Sequence, residues 1–139
     1  MNIYFACTIT GGREYESVYR AIVRSLREDG HEVPTAHLAE SNVLARETEI
    51  APREVYERDI AWIRACDALI AEVSVPSHGV GYEIGFALSI GKPVLALHQK
   101  DRRLSKMISG NPDPRLKVAA YHSLDEAIRI IREFLWEKR

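Results

Sequence analysis

The sequence predicts an α/β protein built on one doubly wound, five-stranded parallel sheet with the order 2-1-3-4-5 and helices on both faces. Strand-like and helix-like patterns alternate from one end of the 139-residue chain to the other, and repeated strand–helix units favour parallel strands joined by right-handed crossovers. The run 68–73 is apolar on both faces, as a buried parallel strand requires. Gly30 and Gly91 each follow a helical pattern, where a helix C-cap is expected.

Hydrophobic periodicity and the positions of helix-breaking and strand-breaking residues predict the bounds of the individual elements. Pro34 interrupts the second strand, which is therefore expected at a sheet edge. The segment 37–50 has no clear period and is predicted to be a long loop. Ser123 and Glu126 have the spacing of a capping box that opens the last helix. The predicted strands are 2–7, 32–36, 68–73, 93–97 and 117–120, and the predicted helices are 14–29, 52–66, 80–90, a short turn at 104–109, and 123 to about 136.

Composition and charge exclude several function classes. An apolar content of 46% and a charged content of 28% are ordinary for a globular protein, and residues 1–139 are predicted to form a single domain. The net charge of −1 predicts neither a nucleic-acid nor a membrane partner. Cys7 and Cys66 lie far apart, which favours a reducing cytoplasm. The five histidines have no metal-ligand spacing, so no metal or cofactor is predicted.

Two glycine-bearing loops are predicted to meet at one end of the sheet. With the order 2-1-3-4-5, the ligand crevice lies between the first and third strands at their carboxyl ends. The loop after Val73 contains Ser77, Gly79 and Gly81, whose backbone N–H groups can approach an anion at a helix N-terminus. The loop after the first strand offers hydroxyls, glycines and a cation, and its structural alternative is a tight strand-to-helix turn. It comprises Thr8, Ile9, Thr10, Gly11, Gly12 and Arg13, and Cys7 precedes it as the last residue of the first strand.

Two carboxylates are candidates for chemistry on a phosphorylated small molecule. Glu83 is predicted to lie in the first turn of the helix after the glycines, where it would stay ionised and could act as a nucleophile. Its structural alternative is a glutamate that complements the helix dipole. Asp59 shares a helix face with Trp62 and Ile63, so partial desolvation would raise its pKa toward that of a general acid. Its structural alternative is an aspartate on a solvated face.

These segments together resemble a known enzyme family. Residues 3–13, 56–62 and 71–85 look like the 2′-deoxynucleoside 5′-monophosphate N-glycosidases of the nucleoside 2-deoxyribosyltransferase superfamily, and 91–95 and 104–108 continue the match. The run Gly-Val-Gly-Tyr-Glu-Ile-Gly is its most specific part. The resemblance implies a homodimeric hydrolase that releases the free base and 2-deoxyribose 5-phosphate.

The resemblance also implies a role for each matching residue. Glu83 matches the nucleophile that holds a 5-phospho-2-deoxyribosyl intermediate, Asp59 the acid that protonates the departing base, and Tyr4 the tyrosine that hydrogen-bonds the nucleophile. The family pattern has Gly in place of Cys7 and Arg in place of Thr10, which leaves phosphate affinity and base preference open. The implied substrate-binding positions are Ile9 and His37 at the base, Ser77 and Gly79 at the phosphate, and Ser105 of the neighbouring subunit with Lys106 and Met107 beside it.

Three alternatives stay open at this point. A transferase would move the deoxyribosyl group between bases and act on unphosphorylated nucleosides, which a phosphate pocket argues against. A ribonucleotide N-glycosidase is not excluded by the sequence. A flavodoxin-like FMN-binding module would share the strand order, but it would need aromatic residues after the third and fourth strands, and the loop 73–80 has none.

Overall fold

The computed structural model describes residues 1–9 and 14–139. Within these residues the strands are β1 (Ile3–Ala6), β2 (Ala68–Glu72), β3 (Val94–Gln99) and β4 (Leu116–Tyr121). The helices are α1 (Glu16–Glu28), α2 (Val43–Thr48), α3 (Pro52–Ala65), α4 (His78–Ser89), α5 (Lys106–Ser109) and α6 (Leu124–Glu137), with a short 3₁₀ segment at Ala36–Ala39. None of the helices in these ranges is both long and apolar enough to cross a membrane.

The described strands form one sheet in the order β1-β2-β3-β4, and each neighbouring pair runs parallel. Alternate strand residues face two separate cores. Phe5 lies in the core shared with α1 and α6, beside Tyr19 and Phe134. Tyr4 lies in the opposite core with Ile84, against α3 and α4. The predicted α/β fold, with a parallel sheet between two helical layers, is confirmed.

The predicted second strand does not form. A single parallel bridge joins Glu32 to Asn2, on the side of β1 opposite β2. Farther along, Pro34 has no N–H to donate. The Thr35 hydroxyl accepts from the Phe5 N–H at 3.0 Å and donates to the Phe5 carbonyl at 2.7 Å. Because this side chain occupies the positions that a fifth strand would use, the prediction of five strands is wrong, and the order 2-1-3-4-5 is not confirmed.

The segment predicted as a long loop contains two short helical stretches, the 3₁₀ segment and α2. Both are too short to display a helical period in the sequence. They form because Leu38, Ala39 and Val43 are buried in the core that contains α1. Tertiary packing, rather than local propensity, therefore stabilises this connection.

Helix α4 begins earlier than predicted. The Ser77 hydroxyl accepts from the Val80 N–H at 3.3 Å and caps the helix, so that the first helical residue is His78. The glycines expected in a loop lie in the first helical turn instead. Glu83 consequently lies in the second turn, and the prediction that it occupies the first turn is wrong.

Helix α6 begins where the capping box predicts. The Ser123 hydroxyl accepts from the Glu126 N–H at 3.2 Å, and the Glu126 carboxylate accepts from the His122 N–H at 2.8 Å. These two hydrogen bonds satisfy backbone donors at the helix start. Local sequence was sufficient here because both partners lie within four residues.

Candidate active site

Tyr4 and Glu83 meet on the face of the sheet that α3 and α4 cover. The Tyr4 hydroxyl donates to Oε1 of Glu83 at 2.7 Å, although 79 residues separate the two in sequence. Strand β1 buries the Tyr4 side chain completely, so that only its hydroxyl reaches polar surroundings. A buried tyrosine whose hydroxyl donates to a carboxylate is a fixed donor rather than a core-filling residue alone.

The surroundings of Glu83 alter its protonation. Burial and, less strongly, the charge of Asp59 raise the pKa of Glu83 to about 7, against the opposing effects of the Tyr4 hydrogen bond and Arg58. Burial of Glu83 in the second turn therefore weakens the expectation that a helix start keeps this carboxylate ionised. Burial, with the charge of Glu83, also raises the pKa of Tyr4 far above its ordinary value, so Tyr4 stays a hydrogen-bond donor.

Asp59 lies on α3 with only 16% of its side chain exposed. Burial raises the pKa of Asp59, and the neighbouring Arg58 opposes this rise. The Arg58 Nε donates to Oδ1 of Asp59 at 2.9 Å. The partial desolvation expected from the shared helix face is therefore present, but with a cationic partner that sequence reasoning missed.

A second carboxylate connects Arg58 to the segment before α3. Glu47 accepts from both terminal nitrogens of Arg58, at 2.9 and 3.2 Å, and its Oε1 lies 2.7 Å from Nε2 of His37. The Arg58 guanidinium lies 4.9 Å from the centre of the Trp62 ring, which His37 contacts edge-on at 5.9 Å. Arg58 could have been found from its place beside Asp59 and four residues before Trp62. Glu47 could not, because its segment has no period.

The predicted phosphate residues lie partly together. Ser77 caps α4, Ser105 caps α5 by accepting from the Met107 N–H at 3.2 Å, and both serines line one cavity of about 630 Å³. Met107 also lines this cavity, and 84% of its surface is exposed. Gly79 and Lys106 are exposed but do not line it.

The first loop is described only in part. Cys7 is buried, and its Sγ donates to the Leu38 carbonyl at 3.7 Å. Thr8 is buried, and Ile9 packs against the core that contains α1. The other predicted members of this loop, Thr10, Gly11, Gly12 and Arg13, lie outside the described residues.

Sequence reasoning also missed a fully buried carboxylate on β2. Glu72 is 1% exposed and accepts from the Ser74 N–H at 2.6 Å, the Ser74 hydroxyl at 3.0 Å and the Tyr121 hydroxyl at 2.5 Å. Burial raises the pKa of Glu72 despite these donors. A single charged residue in an otherwise apolar strand was the available signal.

The chain matches known enzymes over most of its length. Residues 3–126 match the family model described as nucleoside 2-deoxyribosyltransferase. A Methanosarcina mazei protein provisionally named 2′-deoxynucleoside 5′-phosphate N-hydrolase 1 is 41% identical over 96% of this chain and 83% of its own length. The 5-hydroxymethyl-dUMP N-hydrolase of Mus musculus is 45% identical over 81% of this chain and 66% of its own length. The resemblance drawn from the sequence is confirmed.

Solved structures share the fold at lower identity. The CMP N-glycosidase BcmB of Clostridium botulinum superposes with a TM-score of 0.69 at 21% identity, covering 95% of this chain and 99% of that one. A 2-deoxyribosyltransferase from Bacillus psychrosaccharolyticus gives a TM-score of 0.64 at 21% identity over 92% and 90% of the two chains. At this identity the likeness concerns the fold alone.

Proposed function

Because the chain belongs to the nucleoside 2-deoxyribosyltransferase family, we propose that it hydrolyses the N-glycosidic bond of 2′-deoxynucleoside 5′-monophosphates. The products are the free base and 2-deoxyribose 5-phosphate. The observation that carries this proposal is the hydrogen bond from Tyr4 to Glu83, made beside the second carboxylate, Asp59. Two carboxylates with different partners are suited to nucleophilic attack and to proton transfer.

In the first step, ionised Glu83 attacks C1′ of the sugar. The C1′–N bond breaks, its electron pair passes to the base, and Asp59 supplies the proton that makes the base a better leaving group. The hydrogen bond from Tyr4 favours the ionised form of Glu83 and orients it. The sugar passes through an oxocarbenium-like state and is left covalently bound to Glu83.

In the second step, water attacks C1′ of this intermediate. The bond between C1′ and the Glu83 oxygen breaks, its electron pair returns to the carboxylate, and Asp59 accepts the proton of the attacking water. Each carboxyl group thereby returns to its starting state, and the configuration at C1′ is retained after two displacements.

We place the 5′-phosphate at the start of α4. Ser77 lies at this helix N-terminus, where backbone dipoles favour an anion, and exposed Gly79 follows it. Ser105 lines the same cavity as Ser77. We expect a marked preference for the monophosphate over the nucleoside, because each unmet charge-assisted contact costs about 1.5–3 kcal/mol.

We further propose a homodimer in which Ser105 acts on the phosphate of the partner's site. The apolar cavity between α4 and α5, bordered by highly exposed Met107, is the surface that a second copy would cover. Ser105 shares this cavity with Ser77 of its own chain, which supplies the alternative of a contact in cis. Mixing Glu83→Ala chains with Ser105→Ala chains separates the two, since only the arrangement in trans regenerates wild-type sites.

We also propose a cytoplasmic location. Cys7 and Cys66 are both buried and form no disulfide with each other, as is usual in a reducing compartment. Nucleoside monophosphates are, in addition, intracellular compounds. Detection of the native protein in the soluble fraction of fractionated cells would test this placement.

The decisive test is a panel of nucleosides, ribonucleotides and deoxynucleotides, with release of free base followed by chromatography. We expect base release from deoxynucleoside monophosphates without an acceptor base. Release only when an acceptor base is added would indicate the transferase. Faster release from ribonucleotides would indicate the ribonucleotide N-glycosidase.

A further inference from the structure

Four ionisable side chains extend from the proposed site toward α2. We call His37, Glu47, Arg58 and Asp59 the α2–α3 charge cluster. Arg58 connects its two carboxylates, since Nε donates to Asp59 and the terminal nitrogens donate to Glu47. The side chains of Glu47, Asp59 and Arg58 are only 9%, 16% and 22% exposed.

Helix α3 also carries an ion pair of the ordinary surface kind. Arg53 donates to Glu57 at 2.9 Å, one helical turn apart, with side chains 88% and 59% exposed. A surface pair of this kind contributes little to stability and is screened by salt. The α2–α3 charge cluster differs because its charges are desolvated, which makes them costly for folding and strong in their effect on one another.

We propose that Arg58 and Glu47 are positioning residues that decide how readily Asp59 releases its proton to the departing base. This inference rests on the proposed function, in which Asp59 is the general acid. Neither residue has to touch the substrate for this role. Arg58 acts on Asp59 through a hydrogen bond and its charge, and Glu47 acts both by offsetting the charge of Arg58 and through its own negative charge.

The geometry gives the two residues opposite effects. Arg58 donates its hydrogen bond to Oδ1 of Asp59 and not to Oδ2. Its positive charge favours ionised Asp59, whereas Glu47 offsets that charge from the far side of the guanidinium. The two hydrogen bonds from Arg58 to Glu47, together with the contact to Trp62, also fix the plane of the guanidinium.

Other charges face Asp59 from the neighbouring elements. Glu83 on α4 and Tyr4 on β1 interact with it electrostatically, and His37 does so from the 3₁₀ segment. Any test must therefore separate the effect of the α2–α3 charge cluster on the pKa of Asp59 from the effect of Glu83, because Glu83 and Asp59 influence each other's titration. A Glu83→Gln background removes this coupling and stops turnover.

The test is a carbon-13 NMR titration of the Asp59 carboxyl in the Glu83→Gln protein. Glu47→Gln should lower the titration midpoint, because Arg58 then acts on Asp59 unopposed. Arg58→Gln should raise the midpoint, because the cation is lost, and each change should be about one pH unit. Glu57→Gln is the matched control on the same helix and should leave the midpoint unchanged.

Kinetics in the otherwise wild-type enzyme give the second measurement. Glu47→Gln should lower kcat for a natural deoxynucleotide by about fivefold to tenfold and leave an activated 4-nitrophenyl 2-deoxyriboside 5-phosphate almost unaffected. Arg58→Lys should restore most of the change that Arg58→Gln causes in the titration midpoint of Asp59 and in kcat. A merely structural role would lower both rates equally and would not move the midpoint in opposite directions.

The outcomes separate this inference from the proposed function. Midpoints that move in the same direction, or that stay fixed in both variants, overturn the inference even if base release is normal. Opposite shifts in the Glu83→Gln background, together with a wild-type protein that releases no base from any nucleotide, support the coupling and overturn the proposed function. If Glu47→Gln does not fold, the Arg58 variants test the inference. The titration midpoint of Asp59 should then rise with Arg58→Gln and return toward its original value with Arg58→Lys, and a midpoint that stays fixed in both variants overturns the inference.

Discussion

Two glutamate–tyrosine pairs are present among the described residues, one on each face of the sheet. Tyr4 donates to Glu83 on the face that α3 and α4 cover, and Tyr121 donates to Glu72 on the face that α1 and α6 cover. Burial raises the pKa of both carboxyls. Chemically similar pairs thus lie in desolvated surroundings, although Glu72 is fully buried and Glu83 only partly so.

The two pairs differ in how many donors each carboxylate has. Glu72 accepts three hydrogen bonds, two of them from Ser74, and Ser74 in turn accepts from the Gln99 N–H at 2.8 Å. Among the described residues, Glu83 accepts only from Tyr4. A carboxylate whose lone pairs are largely satisfied by protein donors joins strands together, whereas one with unused acceptor capacity can react. Residual hydrogen-bonding capacity, rather than the pKa alone, distinguishes the two sites.

The largest expected difference concerns catalysis. Glu83→Gln should reduce the release of base by about 10³-fold or more, because the proposed covalent step would lose its nucleophile. Glu72→Gln should leave kcat within about tenfold of wild type in the folded fraction. Steady-state assays on protein checked by circular dichroism measure both, and a Glu83→Gln enzyme within tenfold of wild type would remove Glu83 as the nucleophile.

The second difference concerns stability, for which the substitution of Glu72 should have a larger effect than the substitution of Glu83. Glu72→Ala should lower the free energy of unfolding by about 2–3 kcal/mol, since it leaves buried donors of Ser74 and Tyr121 without an acceptor. Glu83→Ala should cost less, because only the Tyr4 hydroxyl loses its acceptor and the removal of a desolvated carboxyl offsets that loss. Urea denaturation at pH 7 provides the measurement. An equal loss in both variants would contradict the distinction between the two pairs.

The third prediction uses the pH dependence of stability. The folded-state pKa of Glu83, about 7, lies above its ordinary value of 4.5, so the folded protein holds a proton that the unfolded chain releases. This contribution is fully present below about pH 4.5 and is lost as the pH rises toward 7, a change on the order of 3 kcal/mol. The stability difference between wild type and Glu83→Gln, measured from pH 4 to 8, should show this decline. A flat difference would indicate that Glu83 is not desolvated.

The smallest expected effect comes from the tyrosines. Tyr4→Phe should lower kcat about tenfold and move the acidic limb of the pH–rate profile to higher pH, because ionised Glu83 loses its donor. Tyr121→Phe removes the equivalent hydroxyl from Glu72 and is the matched control. A profile that moves equally in both variants would show that the hydroxyls act on the fold rather than on Glu83.

Much of the architecture could be predicted from sequence because its signals are local. Apolar runs of the right length indicated four of the strands, and the spacing of Ser123 and Glu126 indicated the start of α6. The prediction of a fifth strand was wrong because of a contact between distant residues, which a local sequence pattern does not indicate. The Thr35 side chain, rather than a backbone, meets the hydrogen-bonding groups of Phe5.

The sequence proposed the members of the candidate site but indicated little of their surroundings. The pattern around Glu83 and its family resemblance selected this residue, but the Ser77 cap moved it from the first helical turn to the second. Arg58 and Glu47 were missed because what they contact depends on how α2 packs beside α3. A segment without periodicity gives no indication of such a contact.

The sequence by itself determined the α/β class, the two apolar layers around a parallel sheet, and a short set of candidate residues that includes Glu83, Asp59 and Tyr4. The tertiary structure alone decided the number of strands, the contact between Tyr4 and Glu83 across 79 residues, and the cation beside Asp59. The physical reason is the range of the interactions. Helix and strand periods arise between neighbours in sequence, whereas desolvation and charge pairing depend on which distant segments exclude water from a group.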